Sequence, residues 1–340
     1  MRVKLEDVCE RGSSNLKLSD VQEMSGEYPI YGASGYIGNA NFYHQEQAYV
    51  AVIKDGAGIG RTTLHPAKSS VIGTMQYLIP KDNVLPEYLF YVVSYMHLEK
   101  YFSGATIPHI YFKDYKNEKF NLDPLEKQTE IVNTLGQCEK IIEIRKQELQ
   151  KLDALIKARF VEMFDLSECV YGTFGKDTDF VDYRGKTPEL SDVGTIRMVN
   201  AKSVGKGVFK TVNEYVTDEV YEKWMHRGLG YPGDILFVTE GHTFGNTCLV
   251  PDYLKKFALG QRVITIKGHS EVIDNAFLGT YMQMEQFKQD IDVYKTGGTA
   301  QGIRSKDLLK IRLPLPKYKE QKEFADFIKQ VTKSKVVHYI

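Results

Sequence analysis

The sequence predicts an α+β chain: two similar mixed α/β domains with curved β-sheets, separated by a long helical spacer of the antiparallel coiled-coil kind. Three observations carry that expectation. First, GGTAQGIRSKDLLKIRLPLP (297–316) lies without a gap on GATIPHIYFKDYKNEKFNLD (104–123) at an offset of 193, matching Gly297 with Gly104, Thr299 with Thr106, Ile303 with Ile110, Lys306 with Lys113 and Asp307 with Asp114. Second, at an offset of 185, DILFVTEGHTFGNTCL (234–249) lies on YVAVIKDGAGIGRTTL (49–64), aligning Gly56 with Gly241, Gly60 with Gly245 and Thr62 with Thr247. An ordered repeat of this kind decides the architecture before any single motif does. Third, residues 125–164 between the copies hold no proline and one glycine, Gly136, while Leu135, Ile142, Leu149, Ile156 and Met163 recur every seven residues.

Each copy follows the same plan. It opens with strand and turn punctuation, YPIYGASGYIG (28–38) in the first and YPGD (231–234) before the core strand of the second. The β-branched and aromatic runs at 50–53 and 235–238 are the core strands, each followed by a glycine-containing loop and another strand. Helices are expected at 85–102, where Leu89, Val92, Val93 and Met96 share a face, and at 275–291. Asp123-Pro124-Leu125-Glu126 then supplies a capping acid, a proline suited to the first turn and a glutamate at the capping-box position, so a long helix begins there. Its stripe, Leu135, Ile142, Leu149, Leu152, Ile156 and Phe160, is a seam for a second helix. That partner is expected at 319–335, with Phe324, Phe327, Ile328 and Val331 on one face, about half the length of the first, as either a truncated or a recombined gene would leave it. The predicted domains are 1–124, the spacer helix 125–165, 166–317 and the terminal helix 318–340. Residues 1–48 and 166–233 hardly align.

Composition sets bounds on function. With 340 residues, 42% of them hydrophobic, two separate cores are affordable. No apolar run is long enough for a membrane span and the start MRVKLEDVCERG lacks a signal-peptide core, which predicts a soluble cytoplasmic protein with no membrane partner. Cys9, Cys138, Cys169 and Cys248 are widely spaced, arguing against a disulfide framework or zinc ribbon. Equal totals of 44 basic and 44 acidic residues give no global attraction to nucleic acid, so binding must come from a local basic face.

The motifs GDILFVTEG, FALGQRVITI, GGTAQGIRSKDLLKIRLPLP followed by KEQ, and LDPLEKQTEIVNTL leading into the long helix resemble the specificity (S) subunits of type I restriction-modification systems. The resemblance covers nearly the whole chain. It implies that each copy is a target recognition domain reading half of a split site in double-stranded DNA. It also implies that the helices act as a spacer and as a docking surface for methyltransferase (M) subunits, two in the family's pattern. Restriction (R) subunits would join on cleavage. Adenine N6 methylation would then be catalysed by the M subunits with their own S-adenosylmethionine, and this chain would hold no cofactor and be no enzyme by itself. The short terminal helix puts the second M-docking face in doubt.

The residues agree with that division of labour. DGAGIG (55–60) looks like a methyltransferase glycine loop, but RTTLHP follows instead of a helix, and the second copy has EGHTFG, without the middle glycine. No Asn-Pro-Pro or Asp-Pro-Pro triplet is present, PDYLKK (251–256) lacks the acid and lysine of a metal nuclease, and the eight histidines show no metal-ligand spacing. A stand-alone DNA-modifying enzyme and a duplicated protein-binding scaffold are the rival readings. Loop residues able to meet phosphates and base edges are Lys54, Arg61, Thr62, Thr106, His109, Tyr111 and Lys113 in the first copy. In the second they are Arg184, Lys186, Lys202, Thr239, His242, Asn246, Arg262, Thr299, Gln301, Arg304 and Lys306. Retention of Lys-Asp at 113–114 and 306–307 points to packing or phosphate, because base-reading residues should differ between half-sites.

Overall fold

The structure is a computed structural model that describes every residue except 57, 104–107, 184, 186, 299–300 and 337–340. The chain divides into two compact units, Met1–Ile144 and Arg145–Ile340. Among the described residues, no helix is long and apolar enough to cross a membrane.

The first unit runs through β1 (Arg2–Lys4), α1 (Leu5–Val8), β2 (Cys9–Ser13), α2 (Leu18–Gln22), β3 (Tyr28–Gly32), β4 (Gly35–Ala40) and β5 (Tyr49–Ile53). It continues through β6 (Thr62–His65), β7 (Ser70–Val71), β8 (Met75–Pro80), α3 (Pro86–Tyr95), α4 (Phe112–Tyr115) and β9 (Lys119–Asn121) into α5 (Leu125–Met163). Its sheets are β1-β9, β2-β8-β5-β6 and β4-β3-β7. Strand β5 lies between β8 and β6, and all five of its side chains are buried. Alternation along the strand sends Val50 and Val52 to the core under α3 and Tyr49, Ala51 and Ile53 to a second cluster with Val71, Met75 and Tyr77. That is why the sequence shows an unbroken apolar run there.

A buried titratable group lies beside this second cluster. His65 is 6% exposed, its ring stacked 5.3 Å from Tyr49 and tilted 4.5 Å from Tyr31, with Nε2 2.8 Å from Thr63 Oγ1. Burial pushes its imidazole from 6.5 down to about 4. The folded chain therefore holds the neutral ring, and on acidification protons bind the unfolded chain first. The His65 contribution is complete above pH ~6.5 and is lost as pH falls towards ~4, on the order of 3 kcal/mol in all. Denaturant unfolding of wild type and His65→Phe at pH 7 and 4.5 checks this. The acid-induced loss should be smaller in the variant, and equal losses would refute it.

The second unit repeats the build. After the end of α5 come β10 (Val170–Thr173), α6 (Phe174–Asp177), β11 (Thr178–Asp182), β12 (Ile196–Val199), β13 (Tyr215–Val216), α7 (Asp218–Trp224), β14 (Ile235–Val238) and β15 (Thr247–Leu249). They are followed by β16 (Phe257–Leu259), β17 (Val263–Gly268), α8 (Asn275–Tyr281), α9 (Glu285–Asp292), α10 (Ser305–Leu308), β18 (Arg312–Leu315) and α11 (Tyr318–Val336). The sheets are β10-β18, β11-β17-β14-β15 and β13-β12-β16, the pattern of the first unit. The duplication thus extends into segments whose sequences hardly align. Leu5 and Glu6 N–H groups donate to Glu118 and Lys116 carbonyls, and Phe174 and Gly175 do the same to Ile311 and Leu309, at 2.9–3.1 Å throughout. Backbone pairing needs no particular side chain, so the likeness survives where residue identity does not.

One side-chain device is conserved between the units. Gln128 is fully buried at the start of α5; its Oε1 accepts from Leu85 N–H (2.8 Å), and its Nε2 donates to the carbonyls of Asn83 (3.0 Å) and Asp123 (2.8 Å). Gln321, fully buried at the start of α11, accepts from Asp274 N–H (2.8 Å) and donates to Val272 (3.1 Å) and Pro316 (2.8 Å) carbonyls. Each glutamine locks three backbone groups that no secondary structure satisfies.

Three expectations need correction. The 85–102 helix ends at Tyr95: His97 takes a left-handed φ of 52° and a 3-10 turn, Leu98–Tyr101, follows. Leu89, Val93 and Leu98 are all fully buried, and on a continuous helix Leu98 would point roughly 140–180° away from the other two. The 275–291 helix likewise splits into α8 and α9, bringing Tyr281 and Phe287 to 5.7 Å in one core, although six helical positions would turn them about 120° apart. The seam is realised only in part. Antiparallel α5 and α11 meet with Phe160 5.5 Å from Phe324, the Arg159 guanidinium 5.9 Å over Phe327, and Asp153 ion-paired to Lys335. Phe160, Phe324 and Val331 are buried and Leu149, Leu152, Ile156, Phe327 and Ile328 half-buried, but Leu135 and Ile142 are 37% and 54% exposed.

Candidate nucleic-acid interface

The two repeated motifs, far apart in sequence, cross each other in each unit. After β5, Gly60 N–H donates to Ile53 C=O (2.9 Å) and Ile53 N–H to Arg61 C=O (3.0 Å), closing a tight loop. Gly56 N–H then donates to Pro108 C=O (3.1 Å) and Ile110 N–H to Lys54 C=O (2.9 Å), tying the loop to the second motif. After β14 the same four bonds recur: Gly245 to Val238 (3.0 Å), Val238 to Asn246 (2.9 Å), Gly241 to Gln301 (2.8 Å) and Ile303 to Thr239 (3.0 Å). Gly60 is required twice over. Its φ is +80°, and a Cβ there would come within 2.4 Å of the Glu99 nitrogen. In both copies the loop leads into a strand, β6 or β15.

At this crossing the first unit presents a linked polar set. Asp55 accepts from Lys54 Nζ and from His109 Nδ1, the latter at 2.7 Å. Burial pushes the Asp55 carboxyl up, but the hydrogen bonds from Lys54 and His109 outweigh it and hold the group below its ordinary range. The His109 ring lies 6.4 Å from that of Tyr111, which is 49% exposed, and Lys113 Nζ stands 5.4 Å over the Tyr111 ring. Arg61 donates to the Ala33 carbonyl, and Thr62 Oγ1 donates to Gly60 C=O at 3.4 Å.

In the second unit Arg262, at a left-handed φ of 72°, puts Nε 3.3 Å from Glu240 Oε1, so Glu240 does for Arg262 what Asp55 does for Lys54. Asn246 Nδ2 donates to Val204 C=O at 3.2 Å. Lys202 Nζ pairs with Glu214 at 2.6 Å, and the hydrogen bond from that ammonium lowers the Glu214 carboxyl. His242, Gln301, Arg304 and Lys306 are exposed. Among the described residues, no carboxylate lies within ion-pair distance of Lys113, Arg304 or Lys306, whereas Lys54, Lys202 and Arg262 are each neutralised by one. Thr239 is corrected from a contact residue to an internal one: it is fully buried and its Oγ1 donates to the Arg262 carbonyl at 3.2 Å. Thr106, Arg184, Lys186 and Thr299 lie outside the described residues.

The shared Lys-Asp pair has a visible local cause. In α4 and α10 the same short helical turn forms, with Asp114 N–H donating to Tyr111 C=O (2.9 Å) and Asp307 N–H to Arg304 C=O (3.0 Å). Ile110 and Tyr115 plug one end into its core and Ile303 and Leu308 the other, which leaves Lys113 and Lys306 on the outside. The carboxylates Asp55 and Glu240 were missed by sequence reasoning, although they lie under one another in the same aligned block.

The chain as a whole is similar to known proteins. The type I restriction modification DNA specificity domain matches residues 1–154 and 179–336. The chain belongs to that family. It is a type I specificity subunit, a DNA-recognition component and not a catalyst. It is 25% identical over 307 residues to the MjaVIII type I restriction enzyme specificity subunit of Methanocaldococcus jannaschii, covering 83% of this chain and 72% of that protein. A putative type I specificity subunit of Haemophilus influenzae is 22% identical over 316 residues, covering 88% of this chain and 78% of its relative. The crystal structure of the type I S subunit from M. genitalium shares the fold with a TM-score of 0.60 at 14% identity, over 100% of this chain and 91% of that one.

Proposed function

We propose that this specificity subunit reads a bipartite site in double-stranded DNA, each unit offering its loop crossing to one half-site while α5 fixes the gap between them. What carries the reading is that one backbone crossing is built twice with different side chains at matched places: Lys54 against Thr239, Arg61 against Asn246, His109 against Gly302 and Tyr111 against Arg304. Arginine suits guanine and asparagine suits adenine, so the two crossings would favour different bases. Lys113 and Lys306 are alike, exposed and, among the described residues, in no ion pair, as residues meeting the invariant phosphate backbone would be. The carboxylates Asp55 and Glu240 hold Lys54 and Arg262 in place until an anion replaces them.

In this reading the chain positions M subunits, which bring S-adenosylmethionine for adenine N6 methylation, and R subunits for cleavage; DNA chemistry belongs to them. Mapping methylated adenines in cells with and without the gene tests it. A split motif with two unlike halves should vanish with the gene, and a motif that persists would overturn the reading. Phosphate contact has its own measurement: Lys306→Ala should weaken duplex binding alike for all sequences and flatten the slope of log affinity against log salt by about 0.9. An unchanged slope would remove Lys306 from the phosphate set, and failure of duplex DNA to bind in any salt would favour the scaffold reading.

A further inference from the structure

Each of the two crossings keeps a carboxylate, which a surface that meets a polyanion has no general use for. Asp55 and Glu240 hold one place in the aligned block, and each bridges to the second motif, Asp55 to His109 and Glu240 to Gly302. Both carry a cation, but the cations come from different segments. In the first unit Lys54 adjoins Asp55 in sequence. In the second the matching residue is the buried Thr239, and the cation is Arg262, from the turn between β16 and β17. Arg262 takes its place at a left-handed φ of 72°, which is unfavourable for any residue with a Cβ.

Stability does not explain a pair rebuilt in this way. The side chains of Arg262 and Glu240 are 53% and 48% exposed, and ion pairs that open to water contribute little. The backbone beside Glu240 is also kept bare: a Cβ on Gly302 would come within 2.9 Å of the Glu240 Cβ and 3.1 Å of the Thr239 carbonyl oxygen. A phosphate of the duplex competes for the Lys54 ammonium and the Arg262 guanidinium, but a phosphodiester has no hydrogen to give the carboxylate. The released carboxylate therefore needs a donor, or its lone pairs stay unfilled beside a polyanion. In the major groove the base-edge donors are the amino groups at cytosine N4 and adenine N6. Adenine sets the N7 lone pair next to its amino group, where it repels the second carboxylate oxygen. Cytosine has a C–H there, so cytosine is the base that fits.

We propose that Asp55 and Glu240 are specificity-determining residues, each accepting a hydrogen bond from the N4 amino group of one cytosine in the half-site its unit reads, while Lys54 and Arg262 pass to phosphate. The inference rests on the DNA-reading assignment above and deepens it by naming a base. It also supplies the element that rejects other sites, because at any other base the carboxylate faces an acceptor lone pair.

Glu240→Gln and Asp55→Asn keep the shape of each side chain and remove its charge. An amide both accepts and donates and so suits adenine N6 and N7 together, which should move the preference at one position from cytosine towards adenine. The readout is the genomic map of methylated adenines in cells carrying wild type or either variant. Wild type should require a cytosine in each half of the split motif. Glu240→Gln should admit adenine at that position in one half and leave the other half unchanged, and Asp55→Asn should do the reverse, each changing the preference roughly tenfold or more. Purified full-length chains give a second measurement that needs no methylation: binding to a mixed-sequence duplex and to a duplex of A·T pairs alone. The doubly substituted chain should gain roughly tenfold or more on the A·T duplex relative to the mixed one, whereas loss of charge by itself raises both equally. Equal gains, a split motif unchanged by either substitution, or one substitution altering both halves would overturn the assignment. A wild-type map without a split motif would instead sink the DNA-reading assignment, and this inference with it.

Discussion

Replacing Gln321 with leucine is expected to destabilise the second unit by about 3–5 kcal/mol. Leucine nearly fills the space of the glutamine, so packing is not what is lost. The loss is three partners at once: Asp274 N–H and the carbonyls of Val272 and Pro316 lose a fully buried glutamine from a site that is itself only partly open to water. A buried polar backbone group left without a hydrogen bond costs about 1–3 kcal/mol, and partial entry of water keeps the total below the sum. The only tryptophan, Trp224, lies in the second unit with its Nε1 donating to the Leu259 carbonyl at 2.8 Å, so its fluorescence reports that unit's unfolding in urea. Gln321→Leu should shift the Trp224 transition to markedly lower urea. Gln128→Leu should instead lower the transition of the first unit. A Trp224 midpoint unmoved by Gln321→Leu would show that the lock is decorative.

A loss of similar size is expected from Phe164→Ala. Phe164, the residue immediately after α5, is 5% exposed and lies within 4.7–5.5 Å of the rings of Phe160, Phe277 and Phe324. Truncation leaves a ring-sized cavity among three other aromatic side chains held by separate helices, and such cavities cost about 3–5 kcal/mol. The damage should be local in character: α5 loses its anchor on α8 and α11, so protection of amide hydrogens in 153–163 and 318–335 should fall further than in β14 or β17. Uniform loss of protection across the unit, or a stability change under about 1 kcal/mol, would contradict this account of what holds the helix end.

How much of this was legible beforehand can be told from particular residues. The repeat of Gly56, Gly60 and Thr62 as Gly241, Gly245 and Thr247 marked the loop that the backbone now shows closing in both units. Gln321 lies on Gln128 at the same offset of 193, but the cause of that match is not in the sequence, because a buried amide binding three carbonyl and amide groups leaves no trace in local pattern. The helix breaks at His97 and at Met282–Met284 were illegible for the opposite reason. Local periodicity favours continuation there, and only the need to turn Leu98 and Phe287 into cores built by other segments interrupts it. Among the site residues, Thr239 shows the limit: the same hydroxyl that suits a phosphate also suits a buried carbonyl, and sequence does not distinguish them.

By itself, then, the sequence determined the duplication, the core strands β5 and β14 with the glycine loops after them, and the long proline-free α5, since all of these follow from spacing and residue type along the chain. Tertiary structure alone decided which cations are neutralised by Asp55, Glu214 and Glu240 and which, among the described residues, make no ion pair. It alone decided that Phe160 and Phe164 pack on Phe277 and Phe324. The physical reason is the same in both cases: ion pairing and burial depend on separation in space between segments remote along the chain, and that separation is fixed only when the backbone crossings have formed.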